Sequence, residues 1–335
     1  MPGQTVIRLG IIGTGRIAKR FVPEALCVEG LTVTAVYNPH KGSAERFVQA
    51  VCREKEVLGT DDPDAFWDLV DAVYIASPHE THADYIQKSL DRNKHVLCEK
   101  PLALKRADAE ACFSYAKEKG LVLMEGIKTA YCPGYRKVLE LARSGMIGEI
   151  RYIDSCFTKL EKAERRELTD IKYGGSFTEL GSYVMLPIFD LADELAQPVF
   201  SSVYDEKGID LFTRVSLSGA QCMASAECGL GVKSEGRLLI GGTKGFIKVD
   251  APWWKTRKIE VHFEDESKTM YYDESFEGDG LRYEIAAFVD LIRNGKSDAT
   301  NSMSKERSIW MAEQMEQFLT GREDDRKQTS AGGGR

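Results

Sequence analysis

The chain has 335 residues, 43% hydrophobic and 29% charged, with a net charge of −7. That length suits two domains of ordinary size, and the composition is that of a globular protein with enough apolar residue for real cores. The acidic balance, without a Lys/Arg cluster, argues against nucleic-acid binding, and no apolar run reaches the roughly 18–20 residues of a membrane span.

In chain order, Val6 to Ile12 reads as a buried strand, followed by Gly13, Gly15 and a helical pattern from Arg16 that Pro23 should break or kink. Leu31 to Asn38 is a second strand. A helix follows, with Ser43 as a candidate N-cap. Strands are expected at "AVYIASP", "HVLCEKP" and "LVLMEG", separated by helices at "HADYIQKSLDRN" and "KRADAEACFSYAKEKG", the latter closed by Gly120. Strand and helix thus alternate to residue 126, and the strands are apolar throughout, as when both faces are covered. The expectation is a doubly wound parallel sheet of the Rossmann type.

After Ile150 the rhythm changes to a run of strands divided by turn residues, best built as an antiparallel sheet. Helical segments flank it, so the second domain is α/β. The expected division is 1–126 for the Rossmann-type domain, 127–322 for the second domain, and 323–335 for a polar, Gly-rich tail without fixed structure. The eight cysteines form no CxxC pair and read as reduced, mostly buried thiols. The N-terminus lacks a signal-peptide pattern, and a cytoplasmic protein is expected.

"GTGRIA" fits G-x-G-x-x-G/A after a strand and at the start of a helix. Gly13 allows the tight turn and Gly15 lets the backbone approach a pyrophosphate. With Thr14, Arg16 and Ile17 they form the expected phosphate-binding turn. The second strand ends on Asn38, not on the carboxylate that would bind a ribose diol and repel a 2′-phosphate. His40 and Lys41 follow, so NAD(P) is expected with a slight lean to NADP. "ASPHETH" brings Ser77, Pro78, His79 and His82 to the end of the third strand as candidate cofactor contacts. "HETHA" lacks the H-E-x-x-H spacing, and no metal site is expected.

"KHVLCEKPLAL" ends a buried strand on Glu99 and Lys100, with Pro101 fixing the exit. A lysine at the sheet's carboxyl edge can hydrogen-bond a substrate hydroxyl or carbonyl, and Glu99 can orient it. In "YGGSFTELGSYVMLPIFDL", Glu179 and Tyr183 are four apart and share a helix face. A tyrosine set against a lysine can relay a proton, because the ammonium favours the phenolate.

Together these motifs resemble the glucose–fructose oxidoreductase / inositol dehydrogenase / MocA family over nearly the whole chain. The segments "GIIGTGRIA", "VYIASPHETHADY", "KHVLCEKPLAL", "MEGIKTAYCPGY" and "GGSFTELGSYV" occur in the family's order. The resemblance implies reversible hydride transfer between NAD(P) and a hydroxyl carbon, usually of a sugar or cyclic polyol. It implies a C-terminal α/β substrate and oligomerisation domain with a large, mostly antiparallel open sheet, through which a homodimer or homotetramer is built, beside an N-terminal NAD(P)-binding domain. Lys100 corresponds to the lysine that touches both nicotinamide ribose and the reacting oxygen. Tyr183 stands where many relatives carry histidine, Glu179 where they carry aspartate, and Lys128 is a further substrate candidate. A non-catalytic dinucleotide or sugar sensor of the same fold is the alternative.

Overall fold

The computed structural model describes residues 6–52, 56–295 and 304–332, with side chains as far as residue 323. The chain forms two compact units, residues 1–131 with 277–312 and residues 132–276 with 313–335. The elements run β1 (Ile7–Ile12), α1 (Arg16–Ala25), β2 (Leu31–Tyr37), α2 (Ser43–Val51), β3 (Leu58–Thr60), α3 (Pro63–Trp67), β4 (Ala72–Ile75), α4 (His82–Asp91), β5 (His95–Glu99), α5 (Arg106–Glu118) and β6 (Leu123–Gly126). They continue with α6 (Pro133–Arg143), β7 (Ile150–Thr158), α7 (Ser176–Leu191), β8 (Val199–Tyr204), β9 (Asp210–Ser218), β10 (Met223–Gly229), β11 (Leu238–Gly242), β12 (Gly245–Val249), β13 (Lys258–Phe263), β14 (Met270–Asp273), α8 (Leu281–Asn294) and α9 (Lys305–Gly332).

The first unit holds a six-stranded sheet in the order β3-β2-β1-β4-β5-β6. Every pairing is parallel. The apolar runs are interior on both faces: Leu9, Ile11, Val73, Ile75, Val96 and Cys98 are fully buried. Strand order reverses between β1 and β4, the switch point at whose carboxyl edge ligands sit in such sheets. The short edge strand β3 and the helix α3 escape sequence reading, because three residues carry no periodicity. α3 nonetheless has local signals: Asp62 caps it, accepting from the Asp64 amide, and Pro63 stands at its first position. Two helix expectations shift. α1 continues through Pro23 to Ala25, and Gly42, in the left-handed region, occupies the N-cap place expected of Ser43.

The expected single boundary at 126 gives way to a discontinuous first unit. α8 belongs to it, burying Leu281, Ile285 and Phe288, and its Arg282 meets Glu24 of α1 with Nη2–Oε1 at 2.9 Å and Nε–Oε2 at 3.2 Å. Burial alone would raise the Glu24 carboxyl, but the Arg282 hydrogen bonds outweigh it and hold the group below the usual glutamate range. Its stabilisation is therefore present above the ordinary glutamate pKa and lost as pH falls through the depressed folded value. Glu24→Gln is expected to lower stability at neutral pH by roughly 1.5–3 kcal/mol, the scale of hydrogen bonds to a charged group. In thermal melts the gap to wild type should close in acid; a gap of constant size across pH would trace the loss to packing alone.

The second unit holds an eight-stranded sheet in the order β14-β13-β12-β11-β7-β10-β9-β8. Its pairings are antiparallel except β7 with β10. α7 covers one face, and its core includes Phe177, whose ring lies 4.7 Å from Phe318 and 5.2 Å from Phe200. The tail expected to lack structure from 323 is helical backbone to Gly332 as part of α9. Its run of Glu, Asp, Arg, Lys and Gln contains no proline and continues a helix already anchored by buried Met315, Phe318 and Arg322. Residues 333–335 lie outside the described ones. Among the described residues, no helix is long and apolar enough to cross a membrane. All eight cysteines are unpaired, and only Cys27 is exposed.

Candidate functional site

The glycine turn after β1 is shaped by its neighbours. Gly13 has φ +104°, and a Cβ on it would stand 2.5 Å from the Ala76 carbonyl at the end of β4, so only glycine fits. A Cβ on Gly15 would find its nearest neighbour at 4.0 Å. The Gly15 side of the turn is therefore open, at the start of α1, where amides and the helix dipole favour an anion. Thr14 and Ile17 are half-buried, and Arg16 is exposed beside the turn. This geometry fits a dinucleotide pyrophosphate.

Asn38 is tied to that turn. Its Nδ2 donates to Thr14 Oγ1 at 2.8 Å, and its Oδ1 accepts from the His40 amide at 2.9 Å. His40 and Lys41 are exposed on the turn that enters α2. Arg46, one turn into α2, stands nearby: its guanidinium donates to Ser43 Oγ at 3.1 Å and lies over Gly42. Sequence reasoning missed Arg46, although its place three residues after Ser43 puts it on the same helix face.

Ser77, Pro78 and His79 form the rim after β4, with the Thr81 hydroxyl donating to Ser77 Oγ at 2.8 Å. His82, expected beside the cofactor, is instead fully buried. Its Nδ1 lies 2.8 Å from the Pro101 carbonyl and its Nε2 3.0 Å from the Ser77 carbonyl. Burial pushes the imidazole pKa down, against the pull of the two carbonyls. His82 thus lies between the rim of β4 and the turn after β5, its neutral ring donating to one of the two carbonyls. Among the described residues, no group of three or more His, Cys, Asp or Glu side chains could hold a metal ion.

Glu99 and Lys100 lie at the carboxyl end of β5, each 7% exposed. The Tyr74 hydroxyl donates to Glu99 Oε1 at 2.5 Å, and Tyr74 stacks on Phe21 of α1. The Lys100 amide donates to the Gly126 carbonyl at 3.2 Å, which fixes its backbone against the end of β6. Two further buried acids, missed in the sequence, stand behind this motif. Glu125 accepts from the Leu102 amide at 2.8 Å, and burial raises its pKa despite that bond and those of its other partners. Glu284, packed against Gly126, is driven well above the usual glutamate range by burial and by Glu99, with Lys128 opposing. Lys128, the substrate candidate, is 6% exposed and its ammonium donates to the Asp279 carbonyl at 2.7 Å. That contact turns it into the interior of the first unit.

In the second unit, α7 is buried at nearly every position from Ser176 to Ile188; Glu179 and Tyr183 are the half-buried exceptions. The spacing of four therefore does place them one turn apart on a single open stripe. Lys159, just past β7, reaches Glu179 at 3.8 Å and Glu161 at 3.1 Å. The Tyr183 ring meets Phe157 edge-on at 5.4 Å, and Phe157 stacks on Trp254 at 3.5 Å. Lys159, Phe157 and Trp254 were not legible as neighbours of Tyr183, because strand pairing and helix packing bring them together over long sequence separations.

A parallel sheet with its switch point and an open glycine turn is the frame of a dinucleotide-binding domain, and it carries the buried Glu99-Lys100 on the same carboxyl edge. Residues 7–127 match the model of the GFO_IDH_MocA oxidoreductase family, described by its NAD-binding Rossmann fold. Residues 7–127 are thus similar to the NAD-binding domain of the Gfo/Idh/MocA oxidoreductases. It is 38% identical over 188 residues to the dTDP-3,4-didehydro-2,6-dideoxy-alpha-D-glucose 3-reductase of Actinomadura kijaniata, a match spanning 53% of each chain and so about half that relative's length. It is 28% identical over 333 residues to scyllo-inositol 2-dehydrogenase (NADP(+)) IolU of Bacillus subtilis, covering 93% of this chain and 96% of that one. Among solved structures it resembles KijD10, a 3-ketoreductase from Actinomadura kijaniata in complex with NADP and TDP-benzene, with a TM-score of 0.80, 26% identity and coverage of 95% of this chain and 98% of that one.

Proposed function

We propose that the protein transfers a hydride between NAD(P) and a secondary alcohol or ketone carbon of a sugar or cyclic polyol. The observation that carries this is the meeting, at one edge of the parallel sheet, of a glycine turn open at Gly15 with the buried Glu99-Lys100 pair. The nicotinamide, when bound, supplies or takes the hydride. Gly13, Thr14, Gly15, Arg16 and Ile17 hold the pyrophosphate, and Ser77, Pro78 and His79 border the nicotinamide half. Lys100 holds the reacting oxygen, with Glu99 fixing its approach. Tyr183 carries the hydroxyl proton, and Glu179 touches the substrate beside it. The carbohydrate substrates in the names of the two curated relatives support this class. The test is absorbance at the reduced-nicotinamide band with either cofactor against a panel of keto-sugars, sugars and inositols. Cofactor binding without turnover of any of them would favour a sensor of the same fold.

The cofactor proposed is NAD(P) with a lean to NADP, since Asn38 is neutral and His40, Lys41 and Arg46 are cationic or can become so. One charge-assisted hydrogen bond is worth roughly 1.5–3 kcal/mol, a preference of about ten- to a hundred-fold. Aspartate at position 38 would keep acceptors for the Thr14 hydroxyl and the His40 amide while repelling a 2′-phosphate. Asn38→Asp is expected to move the kcat/KM ratio toward NAD by that factor. An unchanged ratio would show that Asn38 does not face the ribose.

We place the protein in the cytoplasm, where eight unpaired thiols stay reduced. A homodimer or homotetramer through the second unit's sheet is favoured by an exposed row across its strands. Met223 pairs with Tyr152, Tyr152 with Gly241 and Gly241 with Phe246, and the three large side chains are 39–64% exposed. A monomeric mass in solution would overturn this assembly.

A further inference from the structure

The start of α7 is held by a buried ionic cluster that none of the roles above uses. Gly175 has φ +113°, and a Cβ on it would come within 1.8 Å of Asp210 Oδ1. Asp210, the first residue of β9, is fully buried, and Arg322 of α9 is 2% exposed. Asp210 Oδ2 accepts from the Phe177 amide at 2.8 Å and from the Thr213 hydroxyl at 2.9 Å. Its other oxygen lies 3.3 Å from Arg322 Nη1. Arg322 Nη1 also donates to the Gly174 carbonyl at 2.8 Å, and Nη2 donates to the Lys172 carbonyl. The Ser176 hydroxyl donates to the Asp210 carbonyl at 2.8 Å and accepts from the Leu230 amide at 2.9 Å.

Each contact has a local reason. The first amides of a helix have no intrahelical partner, and Gly175 at the N-cap has no side chain to offer them. Asp210 supplies the missing acceptor from another strand, as a carboxylate at the positive end of the helix. Arg322 then does more than balance that charge. Its planar fork reaches two carbonyls of the approaching loop as well as the carboxylate, a geometry that an ammonium cannot reproduce. Glu179 lies one turn beyond this anchor and Tyr183 one turn further, on the open stripe of the same helix.

We infer that Arg322 is a positioning residue. Through Asp210 and the carbonyls of Lys172 and Gly174 it fixes where α7 begins, and so where the Tyr183 hydroxyl stands. The inference rests on the proposed role of Tyr183 in proton transfer. A misplacement of the order of 1 Å at a reacting group can cost up to about a hundred-fold in rate.

Arg322→Lys separates positioning from charge balance. The lysine keeps a cation for Asp210 and gives up the fork to the two carbonyls. Expected are a Tm within a few degrees of wild type, an unchanged cofactor KM, a kcat lowered roughly ten- to a hundred-fold, and faster amide hydrogen exchange confined to Gly174–Glu179. A lowered Tm with wild-type kcat would make Arg322 structural only and overturn the inference, as would unchanged exchange. If the lysine variant does not fold, Asp210→Asn takes its place with the same readouts, because the side-chain amide keeps one acceptor for Phe177. The parent role is checked separately: a Tyr183→Phe enzyme with wild-type rate defeats the assignment of Tyr183, whereas an inactive one beside an unimpaired Arg322→Lys defeats the positioning role alone.

Discussion

Lys100→Met is expected to lower kcat by at least ~100-fold, the usual scale of a positioned acid–base group, while the protein stays folded and binds its cofactor with at most modest loss. The fold should tolerate the change because methionine matches the lysine stem in length and this position is 7% exposed, within reach of apolar packing. The backbone anchor survives, since the Lys100 amide donates to the Gly126 carbonyl whatever the side chain. The neighbouring contacts survive too, because His82 lies against the Pro101 carbonyl and Tyr74 holds Glu99. What disappears is a cation at the edge of β5 that can stabilise oxygen as its charge develops. Such a contact strengthens toward the transition state, so the loss should fall on kcat rather than on KM alone. Cofactor affinity from a fluorescence titration and kcat from steady-state absorbance separate the two. Near-wild-type kcat in a folded Lys100→Met protein would remove Lys100 from the chemistry.

How much of this site the sequence discloses depends on the range of the forces that build it. The glycine turn, the strand-end Glu99-Lys100 and the Glu179/Tyr183 spacing are local patterns, set by backbone conformation and helical period. Each is found where those rules place it. The parallel strands are legible for the same reason, because a strand covered on both faces must be apolar at every position. Contacts made over long separations are not. Glu24 and Arg282 stand 258 residues apart, and they pair where α8 meets α1 within the first unit. Lys128 reads as a polar residue in a substrate loop, and its bond to the Asp279 carbonyl joins residues 151 apart. His82 reads as a site histidine and is fully buried between carbonyls from turns on different strands, a burial its local sequence does not mark. Asp210 and Arg322 are 112 residues apart, and nothing in either neighbourhood marks them as partners.

Tyr183→Phe should leave Tm nearly unchanged and reduce kcat by two orders of magnitude or more, in the range of about 10²–10⁴-fold for loss of a general acid or base. The substitution keeps the ring, and the ring is what packs: it meets Phe157 edge-on at 5.4 Å, beside the Phe157–Trp254 stack. Only the hydroxyl is lost, from a position that α7 leaves half-buried among fully buried neighbours. Lys159 beside Glu179 adds a cation to the same open stripe, so the stripe can hold a polar substrate even without the Tyr183 hydroxyl. Substrate KM should therefore move less than kcat, and the ionisation assigned to the tyrosine should vanish from the pH–rate profile. A mutant that keeps both the rate and the profile of wild type would assign the proton to another group. Loss of rate with the profile intact would mean that the hydroxyl orients substrate without exchanging a proton.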